Sequence, residues 1–298
     1  MTVHLADSHR FCRQLTRRTA ANFGYAFWAL PADQRQAMNV LYAFMRLTDD
    51  LGDDSETDVA SRTVALKQWR DDLQAAFQGR YGRSPHWPAL ADVARRYDIP
   101  SRLLETVIDG VEMDLTPHQY LSFSELTEYC YHVAGAVGLC CIRIWGCRDA
   151  AADQPAIDCG LAFQLTNILR DLAEDADMGR VYLPQEDLER FGYSTADLQQ
   201  RRRTPEFLNL MAFETERAWS YYRRAERLTE FLSPPGRRVL AAMREIYGGL
   251  LQEIERQDFD VFSRRIRLPM WRKLWITSKS LWGPAGVGSG KAEVGRRK

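Results

Sequence analysis

The amino-acid sequence predicts an all-α protein built from long packed helices. Apolar residues recur at three- and four-residue spacing along most of the 298 residues, and no stretch alternates apolar and polar residues as a half-buried strand does. The breaks between periodic runs fall at Pro, Gly and capping residues. No linker, repeat or low-complexity run divides the chain internally. The expectation is one helical domain over residues 1–282, then a Gly-rich basic tail at 283–298 without fixed structure.

Taken in order, residues 8–28 read as a first helix, and Pro31 restarts the next. Residues 32–50 place Met38, Val40, Leu41, Phe44, Met45 and Leu47 at the spacing of a largely buried helix. Residues 58–78 are amphipathic and end at Gly79. Residues 80–88 read as a loop and 89–97 as a short helix, with Ser101 expected to cap the next. Helices at 122–144 and 153–176 follow. Residues 177–192 read as irregular because Gly179, Pro184 and Gly192 interrupt them. Helices resume at 195–201, 204–232 and 234–262.

Lys and Arg together number 40, as do Asp and Glu, so bulk charge gives no reason to expect nucleic acid. The six Cys form no CxxC pair, which disfavours structural zinc and a disulfide framework and fits buried free thiols in a reducing cytosol. The start of the chain is charged and lacks the apolar core of a signal peptide. The longest apolar run, residues 133–142, is about half of what a membrane span needs. The expectation is a cytoplasmic protein, soluble or peripheral at a membrane.

After Pro269, Trp271, Leu274, Trp275, Ile276, Leu281 and Trp282 sit among Arg264, Arg265, Arg267, Arg272, Lys273 and Lys279. Two readings fit: a membrane-surface segment, or a last helix packing its tryptophans on the body. The run from Gly286 to Lys291 superficially suggests a phosphate loop. It lacks the required spacing, and Ala292 stands where Ser or Thr is needed.

Chemistry concentrates in two acidic clusters about 120 residues apart. The first is Asp49-Asp50-Leu-Gly-Asp53-Asp54. In the second, Asn167, Asp171 and Asp175 share one helical stripe that Gln164 begins a turn earlier. Acids on an apolar helix are costly to bury unless paired or metal-bound. Two such stripes suit Mg²⁺, which takes oxygen ligands and commonly meets a diphosphate. Arg46 and Arg170 lie beside the acids, either paired with them or gripping diphosphate oxygens. Departure of a diphosphate leaves a carbocation that needs a dry, aromatic-lined pocket. Tyr25, Phe27, Tyr42, Phe44, Tyr129, Tyr131 and Phe163 are candidate walls, although most aromatics at helical spacing are plain core.

These motifs resemble the head-to-head prenyl synthases, the squalene and phytoene synthases, over residues 10–276. The resemblance rests on Tyr42-Ala-Phe-Met-Arg46-Leu-Thr-Asp49-Asp50-Leu-Gly-Asp53 and Asp109-Gly-Val-Glu112-Met-Asp114-Leu. It extends to Tyr129-Cys-Tyr131-His-Val-Ala-Gly135-Ala-Val-Gly138 and Gln164-Leu-Thr-Asn167-Ile-Leu-Arg170-Asp171-Leu-Ala-Glu174-Asp175, then Gly179-Arg180-Val-Tyr182-Leu-Pro184.

The resemblance implies an isoprenoid synthase fold with helices around a central cavity. It implies Mg²⁺, with Mn²⁺ as a substitute, on Asp49, Asp53, Asn167, Asp171 and Asp175, with Glu174 assisting. It puts Arg46, Arg170, Arg180, Arg265, Tyr42, Tyr247 and Asn22 around the diphosphates and Tyr182 on a flap. It makes Tyr25, Tyr129, Val133, Gly135, Val137, Gly138, Phe163 and Gln164 the prenyl pocket, with the glycines marking a helix break or close helix packing.

The implied reaction joins two prenyl diphosphates, one attacking the cation formed from the other, through a cyclopropylcarbinyl diphosphate. The pair Asn22-Phe23, where many relatives carry Ser residues, leans the reading toward two farnesyl diphosphates and a C30 product of the presqualene or squalene type; the alternative is phytoene from geranylgeranyl diphosphate. No dinucleotide fingerprint is visible, which leaves NADPH use open. A terpene cyclase or head-to-tail elongase also uses acidic helices, but the Arg-Asp-x-x-Glu-Asp form at 170–175 argues against both. Keeping both acidic clusters argues against a non-catalytic helical partner. Apolar products favour peripheral membrane contact through residues 264–282. Oligomeric state is open.

Overall fold

The computed structural model describes residues 4–276 apart from 21, 22, 55, 117, 270, 271, 273 and 274. Asn22, Trp271, Leu274, Trp282 and the tail at 283–298 therefore lie outside the described residues, as does the side chain of Tyr25. The described residues are all-α, and their one β feature is an isolated parallel bridge between Gln119 and Val181.

The first helix, α1, spans Leu5–Thr19 and stops short of the expected residue 28. Ala20, at φ −81° and ψ 71°, turns the chain off the helix axis. A short α2 (Phe23–Ala26) and a 3₁₀ turn (Phe27–Ala29) follow. Next come α3 (Ala32–Gly52), α4 (Val59–Phe77) and α5 (Trp87–Tyr97). The α4 N-terminus is closed by Asp58, which accepts from the Ser61 backbone N–H at 2.7 Å. Helix α5 begins before residue 89 because Pro88 occupies its first turn, where a missing N–H costs nothing.

Helix α6 (Ser101–Met113) is not capped by Ser101; Pro100 precedes it in extended conformation, and Ser101 is already helical. The predicted rod 122–144 is α7 (Phe123–Cys130), a π-helical turn (Tyr131–Gly135) and α8 (Ala136–Ile144). Ser122 caps it by accepting from the Glu125 N–H, while Glu125 takes the Leu121 N–H at 2.7 Å.

Helix α9 (Asp153–Asp177) is the axis of the molecule. Leu161, Phe163, Leu165, Ile168, Leu169 and Leu172 are all buried, on nearly every side of the helix. Each such side chain contributes roughly 1.5–3 kcal/mol on burial. The supposedly irregular 177–192 contains α10 (Gln185–Phe191). Pro184 is its N-cap rather than a breaker, Glu186 and Asp187 favour its first turn, and Gly192 at φ 68° ends it. Then follow α11 (Thr195–Gln199), α12 (Pro205–Arg224), α13 (Leu228–Phe231) and α14 (Pro234–Arg256). A 3₁₀ turn at Ala225–Arg227 divides the predicted 204–232 helix. Helix α14 ends before 262 because Asp258 and Phe259 take positive φ, 49° and 63°.

Around α9 stand α12, α14, α7, α8 and the π turn, while α3 and α6 close the opposite wall. The seam between the π turn and α9 is set by glycine. A Cβ on Gly160 would lie 2.5 Å from the Ala134 carbonyl oxygen, and one on Gly138 would lie 2.7 Å from that of Ala156. In the C-terminal segment, Ile266, Leu268 and Ile276 are buried against the body and Trp275 is 55% exposed. Body packing and an outward tryptophan thus coexist there.

Candidate active site

A cavity of about 480 Å³ runs between these helices. Helix α3 turns Met38, Leu41, Tyr42, Met45, Arg46 and Asp49 into it, and α9 turns Ala156, Cys159, Gly160, Phe163, Gln164, Asn167 and Arg170. Both sets follow the three-and-four spacing of one helix face. The π turn and α8 add Val133, Val137, Gly138 and Cys141, and Val107, Val111, Trp145, Leu228, Met243, Tyr247, Ala20 and Phe27 are also among the lining residues. One end is therefore apolar, and the other carries amide, carboxylate and guanidinium groups.

At the polar end, acids and arginines alternate. Arg46 pairs with Asp50 at 2.5 Å. The Arg170 Nε donates to Asp171 at 2.8 Å, and Arg265 reaches Asp171 at 3.1 Å and Glu174 at 3.0 Å. Arg180 bridges the two acidic helices, lying 3.1 Å from Asp53. Asp49 is exposed at the mouth, yet the protein crowded around its carboxyl desolvates it, and that and Asp53 push it up to about 7. Burial and Asp171 do the same to Asp175, also to about 7.

These shifts have a measurable sign. Between its ordinary value of 3.8 and about 7, native Asp175 keeps a proton that the unfolded chain has released. The stability this gives is present below 3.8 and is lost as pH rises through about 7. In metal-free buffer, Asp175→Asn is therefore expected to melt higher than the parent at about pH 8, the gap closing toward pH 4. A variant that melts lower at the alkaline end would contradict this electrostatic reading.

The donors present fit a hard divalent cation, since they are carboxylate and amide oxygens. The Asn167 Oδ1 is buried without a hydrogen-bond partner while its side chain lines the cavity. The two raised carboxyls are held up chiefly by burial, and a bound cation would favour their charged form. Among the described residues, no three acids, histidines or cysteines already stand grouped as a ligand set.

The structure gathers most of the expected residues. Tyr42, Arg46, Asp49, Val133, Val137, Gly138, Phe163, Gln164, Asn167, Arg170 and Tyr247 line the cavity, with Phe163 stacked on Tyr247 at 4.6 Å. Asp171 and Arg265 join this set through Arg170, Asp53 pairs with Arg180, and Asp175 lies one turn beyond Asp171 on α9. Tyr129 and Gly135 do not line the cavity. The Tyr129 ring packs on Tyr182 at 5.1 Å, and a Cβ on Gly135 would strike the Tyr131 ring at 2.9 Å, so that glycine serves close packing. Phe44 is not a pocket wall either; it is fully buried beside Trp69 and Trp87.

Asp114 carried no expected role. Its carboxylate accepts from the Tyr129 hydroxyl at 2.7 Å and the Tyr182 hydroxyl at 2.8 Å. Burial raises its pKa, and the two hydroxyls act against that. Asp114 thereby fastens the end of α6 to α7 and to the segment after α9. Its only sequence signal was its place in the 109–115 motif.

A helical shell around an apolar chamber, with acids and arginines crowding one end, is the architecture of a prenyltransferase. The chain belongs to the squalene/phytoene synthase family, whose family model matches residues 16–272. It is 37% identical over 284 residues to the phytoene synthase of Arthrospira platensis, covering 90% of this chain and 91% of that protein. It is 35% identical over 282 residues to the 15-cis-phytoene synthase of Synechococcus elongatus, covering 91% of each. Among solved structures, a dehydrosqualene synthase in complex with ligand superposes with a TM-score of 0.85 at 28% identity, covering 93% of this chain and 96% of that one. The squalene synthase HpnC from Alicyclobacillus acidocaldarius does so with a TM-score of 0.80 at 30% identity, covering 87% and 97%.

Proposed function

We propose that this chain condenses two molecules of geranylgeranyl diphosphate head to head, giving phytoene. The observation that carries this reading is the 37% identity to a phytoene synthase along nine-tenths of both chains. It outweighs the two-residue Asn22-Phe23 match that leaned toward farnesyl diphosphate.

In this reading Arg46, Arg170, Arg180 and Arg265 take the diphosphates, whose oxygens match the guanidinium fork. Asp49, Asp53, Asn167, Asp171 and Asp175 would hold Mg²⁺, which supplies charge against the departing diphosphate. The prenyl chains lie along Val133, Val137 and Gly138. The stacked Phe163 and Tyr247 rings present π-faces toward positive charge on the prenyl carbons, and the apolar lining keeps water away from it. Asp114 holds Tyr129 and Tyr182 in place beside Arg180.

A second reading, two farnesyl diphosphates giving a C30 product, is favoured by the superposition on a dehydrosqualene synthase and by the 30% identity to a squalene synthase. The test is a product assay with purified protein, Mg²⁺ and each diphosphate, with and without NADPH, resolved by mass. A C40 hydrocarbon from geranylgeranyl diphosphate without reductant is expected. A C30 product from farnesyl diphosphate alone would replace the proposal with the second reading.

A further inference from the structure

A second concavity, of about 200 Å³, lies between α1, the 3₁₀ turn and α3. Arg13 and Arg17, four residues apart on one face of α1, line it together with Arg35 from the first turns of α3. The Arg35 guanidinium lies 5.0 Å over the ring of Trp28, which is 53% exposed. Ala20 and Phe27 belong to the walls of both this groove and the reaction cavity.

Among the described residues, the charge in this groove is uncompensated: none of the three guanidiniums has a carboxylate within ion-pair distance. The nearby Asp7 is taken by Arg10 at 3.1 Å, and Asp33 receives the Tyr97 hydroxyl at 3.5 Å. In a chain whose formal charges cancel, three unpaired guanidiniums in one concavity form a local positive excess. Guanidinium groups match phosphate oxygens, and an exposed tryptophan settles at the headgroup level of a bilayer. No helix among the described residues is long and apolar enough to cross a membrane.

We infer that the groove of Arg13, Arg17 and Arg35 binds the phosphate of an anionic phospholipid and lays Trp28 on the membrane surface. The reaction cavity then abuts the bilayer through Phe27 and Ala20, on the face where α1 meets α3. The residues named here include none of residues 264–282. The reading of the cavity as a prenyl chamber supplies only the reason for a membrane here; the groove stands on its own charge.

The test is flotation of the full chain with phosphatidylcholine vesicles, with and without phosphatidylglycerol. The wild type is expected to float only with the anionic vesicles. Each guanidinium near such a surface strengthens partitioning about fivefold, so replacing all three by Gln weakens it about a hundredfold. A triple Arg→Lys variant keeps most of the binding, and Trp28→Ser weakens it. All variants keep wild-type turnover in detergent micelles, which separates this test from that of the reaction. Equal flotation of the wild type and the Gln variant overturns the inference. So does release by inorganic pyrophosphate beyond that caused by salt of equal ionic strength, which would make the groove a site for a soluble diphosphate.

Discussion

Asp171→Ala is expected to lower turnover about a thousandfold or more while leaving far-ultraviolet circular dichroism unchanged. Asp171 lies one turn from both Asn167 and Asp175 on α9, in the middle of the acidic stripe. Arg170 and Arg265 both bond to it. Its loss removes one oxygen ligand from the proposed metal site and leaves two guanidiniums without their shared partner. The departing diphosphate then loses positive charge held in the right place, and each 1.36 kcal/mol of lost stabilisation is about tenfold in rate. The helix survives, because Leu169 and Leu172 stay buried and Arg265 keeps Glu174. Single-turnover release of diphosphate isolates the chemical step. Turnover within about tenfold of the parent would remove both the metal and the diphosphate assignments from this stripe.

The second large effect belongs to Gly160→Ala. The added Cβ would lie 2.5 Å from the Ala134 oxygen, 2.7 Å from its carbonyl carbon and 2.9 Å from the Gly135 nitrogen. All three are backbone atoms of the π turn, so no side chain can swing aside. The helices must separate, at a cost of about 2–4 kcal/mol. For a chain of this size, that lowers the melting temperature by about 3–6 °C. Gly24→Ala is the control, since its Cβ would meet nothing closer than 3.5 Å. Equal melting of the two variants would show that the seam has room to give.

The all-α class and the span of α9 were legible because burial imposes the helical period on the chain. The cavity face of α3 was legible too: Tyr42, Arg46 and Asp49 follow the same period as the core residues behind them. What escaped prediction depends on partners distant in sequence. Asp114 owes its role to hydroxyls 15 and 68 residues away. The π turn has the composition of an ordinary helix, and its bulge answers to the approach of Gly160. Helix α10 was hidden because Pro184 reads as a breaker, although proline suits a helix start as well as an end. Tyr129 was misread as a wall because helical spacing identifies a face but not which neighbour that face meets.

The six buried cysteines make the chain its own footprinting reagent. Burial pushes the thiols of Cys12, Cys140 and Cys159 up to about 12, so they offer almost no reactive thiolate while the fold is closed. Alkylation at each then follows local opening rather than thiol reactivity. Cys12 reports on α1, Cys130 on α7 and Cys140 on α8, whereas Cys141 and Cys159 face the reaction chamber. A bound prenyl chain would shield that last pair and leave the others unchanged, so occupancy could be followed by mass without an introduced label.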